Sequence, residues 1–138
     1  MKKKWTDSLL VLTVLAVMVS GIVLHLKRHG IVVEPRAAIK MAHWLTGAAM
    51  TVVFVVHYRA CRRALSGMGR RYRFFPIVTR LLLWAFVAVA LTGGMKLLSP
   101  VKIKDLGLVH YWCGIVMSVS ALLHLIVGLP LLLKNLRR

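Results

Sequence analysis

The chain has 138 residues, 59% of them hydrophobic, and a mean hydropathy of +0.79, which places it outside the range of water-soluble domains and makes the bilayer its solvent. Twenty Lys and Arg against three acidic residues give a net charge of +17. In a soluble chain that balance would point to nucleic acid, but here the charges flank apolar stretches, so they read as topology signals and nucleic acid is excluded as a partner.

Four apolar stretches are long enough to cross a hydrocarbon core of about 30 Å, which takes roughly 20 helical residues. The first, 5–26, follows a basic start in "MKKKWTDSLLVLTVLAVMVSG" and has the outline of a signal peptide. It is read as a retained helix, because the apolar run continues through "IVLHL" and the helix has a counterpart later in the chain. The second stretch is 39–58, the third 81–98 and the fourth 106–133, with Pro130 in the last turn, where a kink costs little. The predicted fold is all-α: an integral membrane four-helix bundle forming one domain over residues 1–138. Thirteen Lys and Arg lie in the amino terminus, the loop 59–80 and the tail, against seven in the other two loops. The positive-inside rule then places both termini in the cytoplasm. Trp5, Trp44, Trp84, Tyr111 and Trp112 fall near the predicted interfaces, as an aromatic belt would.

Within this apolar chain, "HWLTGAAMTVVFVVH" puts His43 and His57 fourteen residues apart, and "HYWCGIVMSVSALLH" repeats the step with His110 and His124. A shift of 67 places His43 on His110, Gly47 on Gly114, Met50 on Met117, Thr51 on Ser118 and His57 on His124. The preceding helices match through "VSGIVL" and "LTGGMKL", which align Ser20 and Gly21 with Thr92 and Gly93. The chain is thus two repeated helical hairpins. The match breaks at His25, which aligns with Leu97.

Fourteen residues make four turns of a slightly underwound helix, so the two histidines of a helix share a face about 21 Å apart. If helices two and four run parallel, His43 is level with His110 and His57 with His124, one pair near each membrane surface. A lone histidine in a membrane helix often only bonds a neighbouring helix. Two matched pairs point to function, because ionisable groups in the membrane are costly. Each pair suits bis-histidine ligation of a haem iron, so His43, His57, His110 and His124 are the expected axial ligands. Cys61 and Cys113 provide no C-x-x-C-H attachment site, so both haems would be non-covalent haem b. A zinc or copper ion wants three or four ligands. His25 and Cys113 would be needed to complete an outer site, and the inner pair has no acidic neighbour by sequence.

Gly47 and Gly114, one turn from the outer histidines, and Gly21 and Gly93, on the other helices, would let a flat porphyrin approach the backbone. Small-residue helix packing explains them equally well. Arg59, Arg62, Arg63 and Arg80 are candidates for the propionates of an inner haem, and Arg28, Arg36, Lys40 and Lys96 for those of an outer one. His25 is expected level with His43 and His110, as a third imidazole serving a quinone or propionate environment and not as an iron ligand.

The paired H-x13-H helices resemble the dihaem core of membrane cytochromes b. "SGIVLHL", "AHWLTG" with "HYRACRR", and the glycine after each outer histidine look more like the flavinylation-associated cytochrome family. Formate dehydrogenase and hydrogenase b-type subunits are similar in kind, although there a first-helix histidine ligates haem near the cytoplasmic face, and His25 is expected near the outer one. The resemblance implies a bacterial inner-membrane protein that carries electrons between a quinone pool and an extracytosolic redox partner, often a flavin-bearing one. It implies a subunit of an oxidoreductase complex more than a stand-alone enzyme, surrounded by membrane lipid. The competing readings are a small transporter, which would want an acidic residue inside the membrane, a metal-ion-binding protein, and a haem-free membrane anchor.

Overall fold

A computed structural model describes residues 3–26, 30–31, 33–68, 75–101 and 103–136. Among them there are four helices and no strand: α1 (Lys3–Leu26), α2 (Arg36–Met68), α3 (Phe75–Leu98) and α4 (Leu106–Leu136). Each is long and apolar enough to cross a membrane, over Trp5–Leu26, Arg36–Arg62, Pro76–Leu98 and Leu106–Leu129.

The predicted helices are all present, and each is longer than its apolar run, α1 by only two residues. Most of the expected loop 59–80 is helical, since α2 continues to Met68 and α3 already starts at Phe75. Hydropathy marks where a helix can enter lipid, not where it stops. Arg59, Ala60, Arg62, Arg63, Ala64 and Leu65 are good helix formers, and no glycine interrupts them before Gly67. Pro76 occupies the first turn of α3, where its missing N–H loses no hydrogen bond. Pro130 is not in the last turn of α4, because the helix runs on to Leu136. The leucines that follow it favour helix, and proline removes only one bond of the ladder.

Polar residues set the other ends. The Glu34 carboxylate accepts from the Arg36 N–H at 3.1 Å, a favourable charge for the amino end of α2. Asp105 enters α4 with φ 60°, a left-handed conformation that Asp tolerates better than most residues. Its carbonyl accepts from the N–H groups of Leu108 and Val109 at 2.9 and 3.0 Å.

The chain divides into two compact units, Met1–Cys61 and Arg62–Arg138. The first is a hairpin of α1 and α2, in which Ser20 meets His43 and Asp7 meets His57. The second is a hairpin of α3 and α4, in which Thr92 meets His110 and Thr79 meets His124. In each, the later residue of one helix meets the earlier residue of the other, so the helices are antiparallel.

The described buried apolar side chains are few: Val17, Met50 and Val53 in the first hairpin, and Ala85, Phe86, Val89 and Met117 in the second. Leu12, Val52, Trp84 and Ile126 are 64% to 70% exposed. Helices that are apolar on the outside as well as at their contacts suit an apolar surround. Their hydroxyls are satisfied locally: Thr13, Ser20, Thr46, Thr51, Thr92 and Ser118 each donate to the carbonyl four residues back. That back-bonding is the usual recourse of Ser and Thr within a helix.

Candidate histidine sites

The four histidines predicted as ligands all lie at hairpin contacts, half-buried, and all are engaged through the same ring nitrogen. His43 Nδ1 is 2.9 Å from Ser20 Oγ, and His110 Nδ1 is 2.9 Å from Thr92 Oγ1. His57 Nδ1 is 2.9 Å from Asp7 Oδ1, and His124 Nδ1 is 3.2 Å from Thr79 Oγ1. Asp7 and Ser20 are thirteen residues apart on α1, as are Thr79 and Thr92 on α3. At 1.5 Å per residue that is about 20 Å, matching the roughly 21 Å between the histidines of the facing helix. Both hairpins therefore hold an imidazole at each end of a common spacing.

The partners suit one tautomer. Asp7 Oδ1, a carboxylate oxygen, accepts from His57, which puts that proton on Nδ1. Ser20 Oγ is 2.7 Å from Ala16 O and Thr92 Oγ1 is 2.7 Å from Ala88 O, so a hydroxyl that donates along its own helix accepts from Nδ1 of His43 or His110. With the proton on Nδ1, the lone pair of a neutral imidazole is on Nε2. Metal-ligating histidines are commonly held this way, with one ring N–H donated to a hydroxyl, carbonyl or carboxylate while the other nitrogen coordinates.

Gly21 and Gly93 have a specific steric duty. A Cβ at Gly21 would lie 3.3 Å from His43 Cε1, and one at Gly93 would lie 3.2 Å from His110 Cε1. What these glycines admit within the hairpin is the imidazole edge itself. A Cβ at Gly47 or Gly114 would meet nothing within 4 Å, so neither glycine is required by helix packing inside its own hairpin.

His25 is half-buried in the last turn of α1, five residues beyond the Ser20 that meets His43, or about 7.5 Å further along the axis. Arg28 and His29 lie outside the described residues, as does the side chain of Arg63. Arg59, Arg62, Arg80, Lys40 and Lys96 are exposed, and Arg36 is half-buried. Cys61 Sγ is 3.9 Å from His57 Nδ1. Among the described residues no group of three or more His, Cys, Asp or Glu side chains is arranged to hold a metal ion, so the outer zinc or copper site with His25 and Cys113 is not assembled.

Sequence reasoning missed Asp7 and Thr79. Asp7, in the second turn of α1 and within the Trp5–Leu26 span, has its carboxylate on His57. The signal was available: the shift of 72 that aligns Ser20 with Thr92 also aligns Asp7 with Thr79. The chain matches no protein-family model, no curated protein and no solved structure.

Proposed function

We propose that this chain is a small multi-pass dihaem cytochrome b of a bacterial cytoplasmic membrane, with both termini cytoplasmic, passing electrons between a quinone pool and an extracytosolic redox partner. The observation that carries the proposal is the common contact at Nδ1 in His43, His57, His110 and His124, an arrangement that suits coordination through Nε2. Two such histidines per hairpin, at the same spacing, supply the four axial ligands that two haems need. The matching of His43 with His110 and of His57 with His124 rests on the sequence repeat.

Haem bound at these positions supplies a one-electron iron couple. The protein's share is positional. Ser20, Thr92, Asp7 and Thr79 restrain ring rotation, so each imidazole meets its metal without first losing rotamer freedom. Gly21 and Gly93 let the His43 and His110 rings seat against α1 and α3. Gly47 and Gly114 leave the adjacent turn open, and the arginines and lysines at the helix ends suit propionate carboxylates. His25, Arg36 and Lys40 give the Ser20 end of the first hairpin a polar rim suited to a quinone headgroup.

Asp7 favours a second reading, since a carboxylate paired with a histidine inside a span is what a proton or cation transporter would use. The other three histidines each meet a hydroxyl instead. The experiment that separates the two is the absorbance spectrum of protein purified after expression with ample haem. The proposal expects a reducible b-type spectrum with two haems per chain, and colourless protein overturns it. Cysteine labelling in intact cells tests the topology. Ser66→Cys should stay unlabelled from outside while Lys102→Cys labels, and the reverse pattern turns the molecule over.

A further inference from the structure

The two hairpins differ at one tether, and the difference is a charge. At the Ser20 and Thr92 positions both hairpins present a hydroxyl to the histidine. At the Asp7 and Thr79 positions the first presents a carboxylate to His57 and the second a hydroxyl to His124. Asp7 is 12% exposed and His57 23%, so their 2.9 Å bond lies largely out of water. A carboxylate is costly to place within a membrane span and is kept there only with a partner. His57 is that partner, and among the described residues Asp7 forms no other ion pair.

We infer that Asp7 is a positioning residue that holds the haem ligated by His57 at the lower of the two reduction potentials, so that electrons pass downhill from the Asp7 end of the protein to the Ser20 end. This rests on the dihaem reading. A carboxylate accepting the Nδ1–H makes the imidazole a stronger donor through Nε2, as it does in carboxylate–histidine–metal triads. A stronger donor and a nearby negative charge both favour ferric over ferrous iron, which lowers the potential. The hydroxyls of Ser20, Thr92 and Thr79 carry no charge and exert no comparable pull. The step is the gain or loss of one electron at iron; no bond forms or breaks, and the Nδ1 proton stays on His57. Under the proposed topology the Asp7 end is cytoplasmic, so the downhill direction leads outward, toward an extracytosolic acceptor.

The size of the effect is scaled from outer-shell partners of metal-ligating histidines, whose loss changes metal affinity by about 10–100-fold; the low end of that range, about tenfold between the two oxidation states, is expected here. For a one-electron couple, tenfold is about 59 mV.

The test is an electrode-poised redox titration of purified protein, with both haem components followed by absorbance. His57→Ala should remove the lower-potential component, which assigns it. Asp7→Asn keeps shape and removes charge, and should raise that midpoint by about tenfold in the ferric-to-ferrous ratio while leaving the other component in place. Asp7→Glu should restore it. If Asp7→Asn fails to retain haem, Thr79→Asp gives the converse measurement, since a carboxylate beside His124 should lower the midpoint of the haem that His124 ligates. Unmoved midpoints with two haems present, or loss of the higher-potential component in His57→Ala, overturn this inference and leave the dihaem reading standing. Colourless wild-type protein overturns the dihaem reading itself.

Discussion

The two hairpins share a plan and differ in how closely each half of it is kept. At the Ser20 and Thr92 ends they are near copies: a back-bonded hydroxyl meets Nδ1 of the histidine, and a glycine at the next position makes room for the ring. At the other ends, Asp7 in one corresponds to Thr79 in the other, and Cys61 approaches His57. The strict end has steric reasons for being strict, since a Cβ near 3.2 Å from an imidazole leaves little choice of residue. At the looser end any acceptor of the right reach holds Nδ1, so carboxylate and hydroxyl are both allowed, and the choice between them becomes a means of setting charge.

The largest expected effect breaks the shared plan. His43→Ala or His110→Ala should each remove one haem of the two, and His57→Ala or His124→Ala should each remove the other, as counted by pyridine haemochrome per chain. A single substitution that abolished both haems, or a double substitution across the two levels that left one, would contradict matched pairs.

Glycine substitutions sharpen the contrast between packing and ligand binding. Gly47→Leu and Gly114→Leu start a side chain where an added Cβ meets nothing within 4 Å, and leucine favours helix over glycine, so haem-free protein should lose no thermal stability. Haem retention should fall several-fold if a flat group occupies that space. Gly21→Ala and Gly93→Ala act differently, because the imidazole must shift by a few tenths of an ångström. Their signature is a partial loss or altered spectrum of the haem ligated by His43 or His110. Equal behaviour of the two glycine pairs would remove the distinction.

The smallest effect is expected at the hydroxyls. Ser20→Ala or Thr92→Ala loses one neutral hydrogen bond, worth about 1 kcal/mol, and frees the ring to rotate. Both haems should remain, with weakened retention of one on dilution. An effect as large as that of the histidine substitutions would mean the hydroxyl does more than hold Nδ1.

The sequence by itself determined the four helices, because a run of about 20 apolar residues has one stable answer in lipid and that answer needs no partner. It also determined the four histidines and their two levels, since a fourteen-residue step and a repeat are properties of one dimension. Helix ends were less legible: the turns of α2 and α3 beyond the apolar runs, and the passage of α4 through Pro130, depend on helix propensity that hydropathy does not register. Only the tertiary structure decided which nitrogen of each ring is tethered, that Gly21 and Gly93 seat imidazoles, and that Asp7 meets His57. The physical reason is that a hydrogen bond between residues 50 apart depends on the register of two antiparallel helices, and register is fixed by packing between them.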